Sequence, residues 1–147
     1  MRRTSVLLAI ALTAAACGTA ATPTPPPSPT AAAMQIMAQG EFADIDGVAT
    51  GKAELAVVGE LYEVVLEDFS IDSIEHTSVV LVENATVTSS ADVDPTKFLD
   101  LGALKATSGM QVYEIPAEMA ATVMDGYHSV VIWDTLMEHA IAAAALK

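Results

Sequence analysis

GMQVYEIPAEMAATVMDGYHSVVIWD, residues Gly109 to Asp134, carries the strongest indication of the architecture of this chain. It holds two apolar runs, Met110 to Ile115 and Ser129 to Trp133, and Pro and Gly interrupt the Pro116 to Gly126 connection between them. Val, Ile, Tyr and Trp dominate both runs, and such β-branched and aromatic side chains pack well on a pleated sheet. We therefore predict two strands, the second of which ends in the carboxylate of Asp134.

Two runs further upstream predict a β-hairpin. From Lys52 to Val58 apolar and polar side chains alternate, which is typical of a strand with one buried face. Gly59 and Glu60 separate this run from a second one, Leu61 to Phe69. Because Gly at the first of two loop positions suits a tight turn, we expect the two strands to pair directly.

Short apolar runs recur along the rest of the chain. Thr77 to Glu83 contains consecutive apolar residues, as expected for a strand that is covered on both faces, and Asn84 to Lys97 is a polar surface loop. Phe98 to Lys105 supplies another short run. Within the tail, Thr135 to Lys147, the segment Ala140 to Leu146 favours a helix by propensity but is also compatible with a strand. Many short strands separated by turns predict an all-β domain, either an antiparallel β-sandwich or a barrel-like fold.

The first sixteen residues have the features of an export signal. Arg2 and Arg3 form a short positive region, an apolar run follows, and small residues lead into Cys17. Such a segment is too short to span a bilayer permanently and is removed during secretion. Small residues directly before a Cys resemble the lipobox of bacterial lipoproteins, which implies a lipid on the Cys17 thiol. An ordinary secretory signal that is cut near the same place is the alternative.

The next segment predicts a spacer. Residues 18–33 contain TPTPPPSPT followed by three alanines, and Pro at this density favours extended polyproline II geometry over a packed core. The predicted organisation is a lipoprotein signal peptide in residues 1–16, a lipid-anchor Cys and a flexible linker in 17–38, and one domain in 39–147. The linker would act as a disordered, Pro/Thr-rich stalk that holds the domain away from a membrane.

Charge and cysteine use restrict the partners. The chain has 19 acidic and 6 basic residues, and the loss of Arg2 and Arg3 with the signal would change its net charge from −13 to −15. An acidic surface of this kind repels phosphate backbones and anionic lipids, so nucleic acid is excluded as a partner. If Cys17 carries a lipid, the folded part has no thiol, which excludes a disulfide and a redox cysteine there.

Several motifs follow one another between Gly40 and Leu146 in an order that resembles a known family. The most specific are LGALK at residues 101–105, GMQVYEIP at 109–116, which includes Tyr113, and YHSVVIW at 127–133, which ends in Trp133. Together they resemble the DM-thirteen electron-transfer domain of bacterial lipoproteins and animal cell-surface proteins. The resemblance implies an all-β fold whose last segment is a strand, which favours a strand for Ala140 to Leu146.

The resemblance also implies a special role for one position. The family's proposed redox residue is a cysteine immediately after the Trp of the last motif, used as a bare thiol or as a ligand for a group such as haem. In this chain Asp134 follows Trp133. A carboxylate cannot pass through thiol oxidation states and is a poor ligand for haem iron. Asp134 is then a surface residue at a strand end, a hydrogen-bonded structural residue in place of the thiol, or part of a metal site.

No other set of residues in the sequence forms a recognised catalytic or metal-binding motif. His76, His128 and His139 are scattered, and the seven Met residues are better explained as core residues than as haem ligands. Asp44-Ile45-Asp46-Gly47 resembles the start of a calcium loop, but the later oxygen ligands do not follow, so we predict a turn. The sequence therefore predicts no catalytic residue, no cofactor and no metal.

The leading functional hypothesis combines these observations. It is a lipid-anchored, extracytoplasmic protein whose domain has a non-catalytic binding or accessory role at the cell envelope, with the membrane as a partner through Cys17. A protein or a small molecule of the envelope would be the further partner. The alternative is electron transfer through a haem or a metal that is held without the family cysteine.

Overall fold

The computed structural model describes residues 33–73 and 75–147, and Ala31–Lys147 forms one compact unit. The predicted export signal, Cys17 and most of the predicted linker lie outside the described residues. Eight strands and one short helix make up most of this part of the chain. They are β1 (Met34–Asp44), β2 (Ala49–Val58), β3 (Leu61–Ile71), β4 (Thr77–Val82), β5 (Leu99–Ala103), β6 (Ser108–Ile115), α1 (Ala120–Gly126), β7 (Ser129–Asp134) and β8 (His139–Ala145).

All the strands belong to one antiparallel sheet, in the order β5-β4-β7-β8-β1-β2-β3-β6. The sheet curls until its two outer strands, β5 and β6, approach each other, which gives a nearly closed barrel. This confirms the predicted all-β, antiparallel, barrel-like architecture. β8 confirms the strand that the family resemblance favours for the tail, because its alanines pair with β7 on one side and with β1 on the other.

The interior of the barrel is filled by every second residue of the strands. Val64 and Leu66 of β3, Ile115 of β6 and Ile132 of β7 are almost completely buried and belong to one apolar cluster. Burial of each such side chain contributes roughly 1.5–3 kcal/mol to folding. Because all the residues of this cluster lie within the compact unit Ala31–Lys147, that unit contains the core that it needs to fold by itself.

A second, smaller apolar cluster lies on the outer surface of β4, β7 and β8. Trp133 is only 4 % exposed, and its ring lies 5.8 Å from the ring of Phe98. Val87 and Val93, from the loop between β4 and β5, cover the same surface. The loop predicted from Asn84 to Lys97 is thus a cover for the sheet, and this explains why β4 is buried on both faces.

Two features differ from the sequence-based expectation. β1 begins at Met34, whereas the predicted linker extended to residue 38, and Met34 and Ile36 pair with β2. Their side chains are about half exposed, so the segment lacks the buried alternation that would mark it as a strand. The connection from Pro116 to Gly126 contains a helix, α1, that was not predicted. In the described part of the chain, no helix is long and apolar enough to cross a membrane.

Candidate functional site

Asp134 lies at one end of the barrel, which we call the loop end. Four loops meet there among the described residues: 45–48 between β1 and β2, the described residues 72–73 and 75–76 between β3 and β4, 104–107 between β5 and β6, and 135–138 between β7 and β8. Asp134 is the last residue of β7, and it pairs with Thr77 on β4 and with His139 on β8. The site is therefore built from strand ends that a continuous sheet holds in place.

The carboxylate of Asp134 holds the turn between β7 and β8. Its Oδ1 accepts the backbone N–H of Leu136 and that of Met137, both at 2.8 Å. Glu138 completes the turn with a left-handed backbone, φ 54°. A short acidic side chain at the start of a turn often accepts N–H groups two or three residues further on, because these groups have no partner in the sheet. Asp134 is thus hydrogen-bonded in a structural role, one of the alternatives that the sequence left open.

The surroundings of Asp134 stabilise its charged form. The N–H of Met137 is the main cause that lowers the pKa of Asp134 below its ordinary value, the N–H of Leu136 adds to it, and partial burial acts in the opposite direction. Positive charge on His139 and His76 lowers this pKa further. The site therefore carries a carboxylate at neutral pH, with two imidazoles near it.

The histidines that are scattered in the sequence are partly brought together by the fold. His139 lies opposite Asp134 in the sheet, and the carbonyl oxygen of His76 accepts the N–H and the hydroxyl of Thr135, at 2.7 and 2.9 Å. His128 lies at the opposite end of β7. In residues 33–73 and 75–147, no three side chains of His, Cys, Asp or Glu are placed so that they could hold a metal ion.

Tyr113 has a different environment, between the two outer strands of the sheet. Its hydroxyl donates to Gln111 Oε1 at 2.9 Å and accepts the N–H of Lys105 at 3.1 Å, while Gln111 Nε2 donates to the carbonyl oxygen of Ala106 at 2.9 Å. The Lys105 ammonium lies 4.4 Å from the centre of the Tyr113 ring and donates to the carbonyl oxygen of Val112. These bonds join the segment after β5 to β6, where the barrel closes.

Burial raises the pKa of the Tyr113 hydroxyl, and the N–H of Lys105 partly opposes this effect. The phenol therefore stays protonated at neutral pH and can donate to Gln111. The sequence did not single out Gln111 as a partner of Tyr113. Their spacing of two residues on one strand, which places both side chains on the same face, was the available signal.

A comparison of the sequence with family models found a match. The model described as Electron transfer DM13 matches residues 42–146. The chain belongs to this family. The match runs from the second half of β1 through β8, so it covers nearly the whole barrel. No curated protein and no solved structure matches the chain.

In this DM13 domain the motif residues Tyr113 and Trp133 and the residue that departs from the family, Asp134, lie at separate positions. Tyr113 faces the interior of the barrel, Trp133 packs on its outer surface, and Asp134 lies at the loop end. The first two are buried packing residues, and only Asp134 is partly accessible to solvent.

Proposed function

We propose that this chain is an exported lipoprotein, anchored to the membrane through Cys17, whose DM13 domain has a non-catalytic binding or accessory role at the cell envelope. The observation that supports the non-catalytic role is the double hydrogen bond from the backbone of Leu136 and Met137 to Asp134 Oδ1. At the position where the family resemblance implies a redox thiol, this chain has an ionised side chain that is used to hold a turn.

Thiol chemistry is not available to such a residue. A carboxylate has no sulfur to oxidise, and the only cysteine in the sequence is Cys17, which the proposal assigns to the lipid anchor. The fold retains two residues of the family motifs as packing residues, with Tyr113 where the barrel closes and Trp133 under the covering loop. A domain that keeps the scaffold without the reactive group is suited to recognition.

The anchor follows from the order of segments. Cys17 would carry the lipid, and the Pro-rich residues 18–33 would separate it from β1. An extended segment of this length reaches on the order of 50 Å at about 3 Å per residue. That distance would allow the loop end of the barrel to meet partners that are not at the membrane surface.

The absence of redox chemistry is tested on the domain purified from its native host. We expect an absorption spectrum with only the ultraviolet band of the aromatic side chains, and no stoichiometric metal by elemental analysis. A visible chromophore, or a metal bound in a fixed ratio to protein, would contradict the non-catalytic proposal.

The anchor is tested separately by fractionating cells that produce the full-length chain. Cys17→Ser is expected to move the protein from the membrane fraction to the soluble fraction. Thr19→Ser, a conservative change in the same segment, should leave the protein in the membrane. Retention of the Cys17→Ser protein in the membrane would refute the lipid anchor without affecting the proposal for the domain.

Electron transfer through a bound cofactor is the second candidate. Two observations favour it: the family description, and the positions of His76 and His139 on either side of Asp134. Imidazole is a common ligand of haem and of copper or zinc. Under this candidate the native protein has a chromophore or a metal that is lost in His76→Gln and His139→Gln but kept in His128→Gln. A colourless, metal-free protein would reject it.

A further inference from the structure

The loop end of the barrel contains a cavity that is lined in part by His139, the residue that pairs with Asp134 in the sheet. Its volume is about 200 Å³, and it opens between the β1–β2 loop, the β3–β4 loop and β8. Its walls combine apolar and acidic groups with one imidazole: Val48, Ile71 and Ile141, then Asp46, Asp72 and His139. Asp46 is held in place because its Oδ2 accepts the Ser90 hydroxyl at 3.0 Å, and the same hydroxyl accepts the N–H of Ala140 at 2.9 Å.

Exposed apolar side chains lie at the same end of the barrel as this cavity, and one of them, Val48, lines it. Leu136 is 65 % exposed and Met137 is 69 % exposed in the β7–β8 turn, and Val48 is 58 % exposed in the β1–β2 loop. The hydrogen bonds of Asp134 fix the backbone of Leu136 and Met137, so their side chains project from an ordered turn. Large apolar groups in solvent cost free energy unless a partner covers them, and at the centre of a binding surface they act as anchors.

The charge at this end is mostly negative. The acidic side chains at the loop end are Asp44, Asp46, Asp72, Glu75, Asp134 and Glu138. In the part of the chain that the structure describes, two lysines form salt bridges, and neither does so with these six residues. Lys52 pairs with Glu54 and Glu67, and Lys97 pairs with Asp94. Lys105, in the β5–β6 loop, is the basic residue at this end, and its ammonium is directed to the carbonyl oxygen of Val112 and to the ring of Tyr113. The field at the loop end therefore attracts cations and repels anions.

We propose that the loop end binds a positively charged protein partner, with a Lys or Arg side chain of that partner in the cavity. The charged group would lie between Asp46 and Asp72, and its methylene chain would pack on Ile71 and Ile141, as long basic side chains do when they cross an apolar surface. Leu136 and Met137 would contact apolar residues around that side chain. Carboxylates speed the encounter with a basic partner, and the apolar contacts supply affinity.

The charge and the shape of the site select this occupant over others. A nucleic acid or an anionic lipid surface would meet the same carboxylates and be repelled. A free metal ion or a small amine would use the cavity but would leave Leu136 and Met137 uncovered. A basic protein can pair with the carboxylates, fill the cavity with a basic side chain, and cover Leu136 and Met137 with its apolar residues. The inference rests on the binding role proposed for the domain and names the class of its partner.

The test uses the Ala31–Lys147 unit and two probe peptides, Lys-Leu-Lys-Leu-Lys and Lys-Ser-Lys-Ser-Lys. An NMR titration with each peptide measures its affinity and the changes in the backbone amide chemical shifts of the domain. The first peptide is expected to bind about threefold or more tightly than the second, because both supply the same charge but only the first supplies apolar contacts. The largest shifts are expected in the loops 45–48 and 135–138 and at His139.

Variants with matched controls separate this site from general attraction to an acidic protein. The double variant Asp46→Asn/Asp72→Asn is expected to weaken the binding of Lys-Leu-Lys-Leu-Lys about fivefold or more. The control, Glu60→Gln/Glu63→Gln, removes the same charge at the other end of the barrel and should change the affinity for this peptide less than about twofold. Leu136→Ser/Met137→Ser should remove the preference for the leucine peptide. Leu61→Ser, an exposed apolar residue far from the loop end, should keep it.

Three outcomes would overturn the inference. Equal weakening by the two charge variants, or shifts spread over the whole acidic surface, would show non-specific attraction. Equal affinity for the two peptides would show that only a cation is recognised. Failure of both peptides to bind, with an unchanged spectrum that shows a folded domain, would reject the site. None of these results depends on the lipid anchor or on a cofactor, so the inference can fail while the rest of the proposed function stands.

Discussion

The backbone N–H of Met137 donates to Asp134 Oδ1 at 2.8 Å, across the turn that joins the last two strands. This bond connects the last residue of β7 to a large apolar side chain that projects into solvent. The position where the family resemblance implies a redox cysteine thus determines the shape of the loop end. A change at Asp134 should therefore alter the loop end more than it alters any other part of the domain.

Replacement of Asp134 by Ala removes the acceptor for two backbone amides. We expect hydrogen exchange at the amides of Leu136 and Met137 to become faster, while exchange in the interior of β7 changes little, because the sheet pairing is independent of the carboxylate. Asp134→Asn keeps an acceptor oxygen and should have a smaller effect. Asp125→Ala, which removes an exposed carboxylate in α1, is the control. Unchanged exchange in Asp134→Ala would show that the two hydrogen bonds do not hold the turn.

The lowered pKa of Asp134 predicts a dependence of stability on pH. Because the pKa is lower in the folded chain than the ordinary value of 3.8, the charged form stabilises the fold above that pH. This contribution is lost as the pH falls below 3.8 towards the lowered pKa. Urea unfolding should therefore show that Asp134→Asn is less stable than the wild type near neutral pH, with a difference that narrows in acid. A difference that widens in acid would contradict this sign.

The hydroxyl of Tyr113 is expected to stabilise the closure of the barrel. Tyr113→Phe removes the bond to Gln111 and the bond from Lys105, and should lower the free energy of unfolding by about 1–2 kcal/mol. The hydroxyl of Tyr62 has no hydrogen-bond partner among the described residues, so Tyr62→Phe should have little effect. Equal losses from the two substitutions, measured by urea unfolding, would show that the Tyr113 bonds contribute nothing.

Gly40 is expected to tolerate no side chain. A Cβ at this position would overlap with the carbonyl group of Ala145 in the neighbouring part of the sheet. Gly40→Ala should therefore push β1 away from β8 and lower the free energy of unfolding by about 2 kcal/mol or more. Gly126→Ala is the control, because a Cβ there meets no atom within 4 Å. Similar thermal unfolding of the two variants would argue against the close approach of β1 and β8.

The sequence predicts most of the strands because their residues alternate or are continuously apolar. Ala53 and Leu55 of β2 face the interior, as the alternation from Lys52 to Val58 implies. β4 is buried on both faces, as its run of apolar residues implies. The alternation fails at Met34 and Ile36, where the strand carries apolar side chains into solvent.

The candidate site is predictable only in part. The resemblance points to Asp134, and the type of residue excludes thiol chemistry, but the two amide donors belong to a turn that the sequence does not specify. His76 and His139 come near Asp134 only because β4, β7 and β8 are neighbours in the sheet. β7 and β8 form a local hairpin, which brings His139 to Asp134, whereas the pairing of β4 with β7 joins distant segments, and local patterns of charge or polarity do not contain it.

The order of the strands also constrains when the domain can fold. β1 and β8 are the first and last strands of the described chain, yet Phe42, Ala43 and Asp44 pair with Ala144, Ala143 and Ala142. A polypeptide that emerges residue by residue, from a ribosome or from a translocation pore, cannot complete this sheet until Ala144 is free. Until then β1 lacks one neighbour, and its free edge is open to pairing with another chain. Contacts between such distant segments also make folding slow, so the late arrival of β8 sets the earliest time at which the barrel can close.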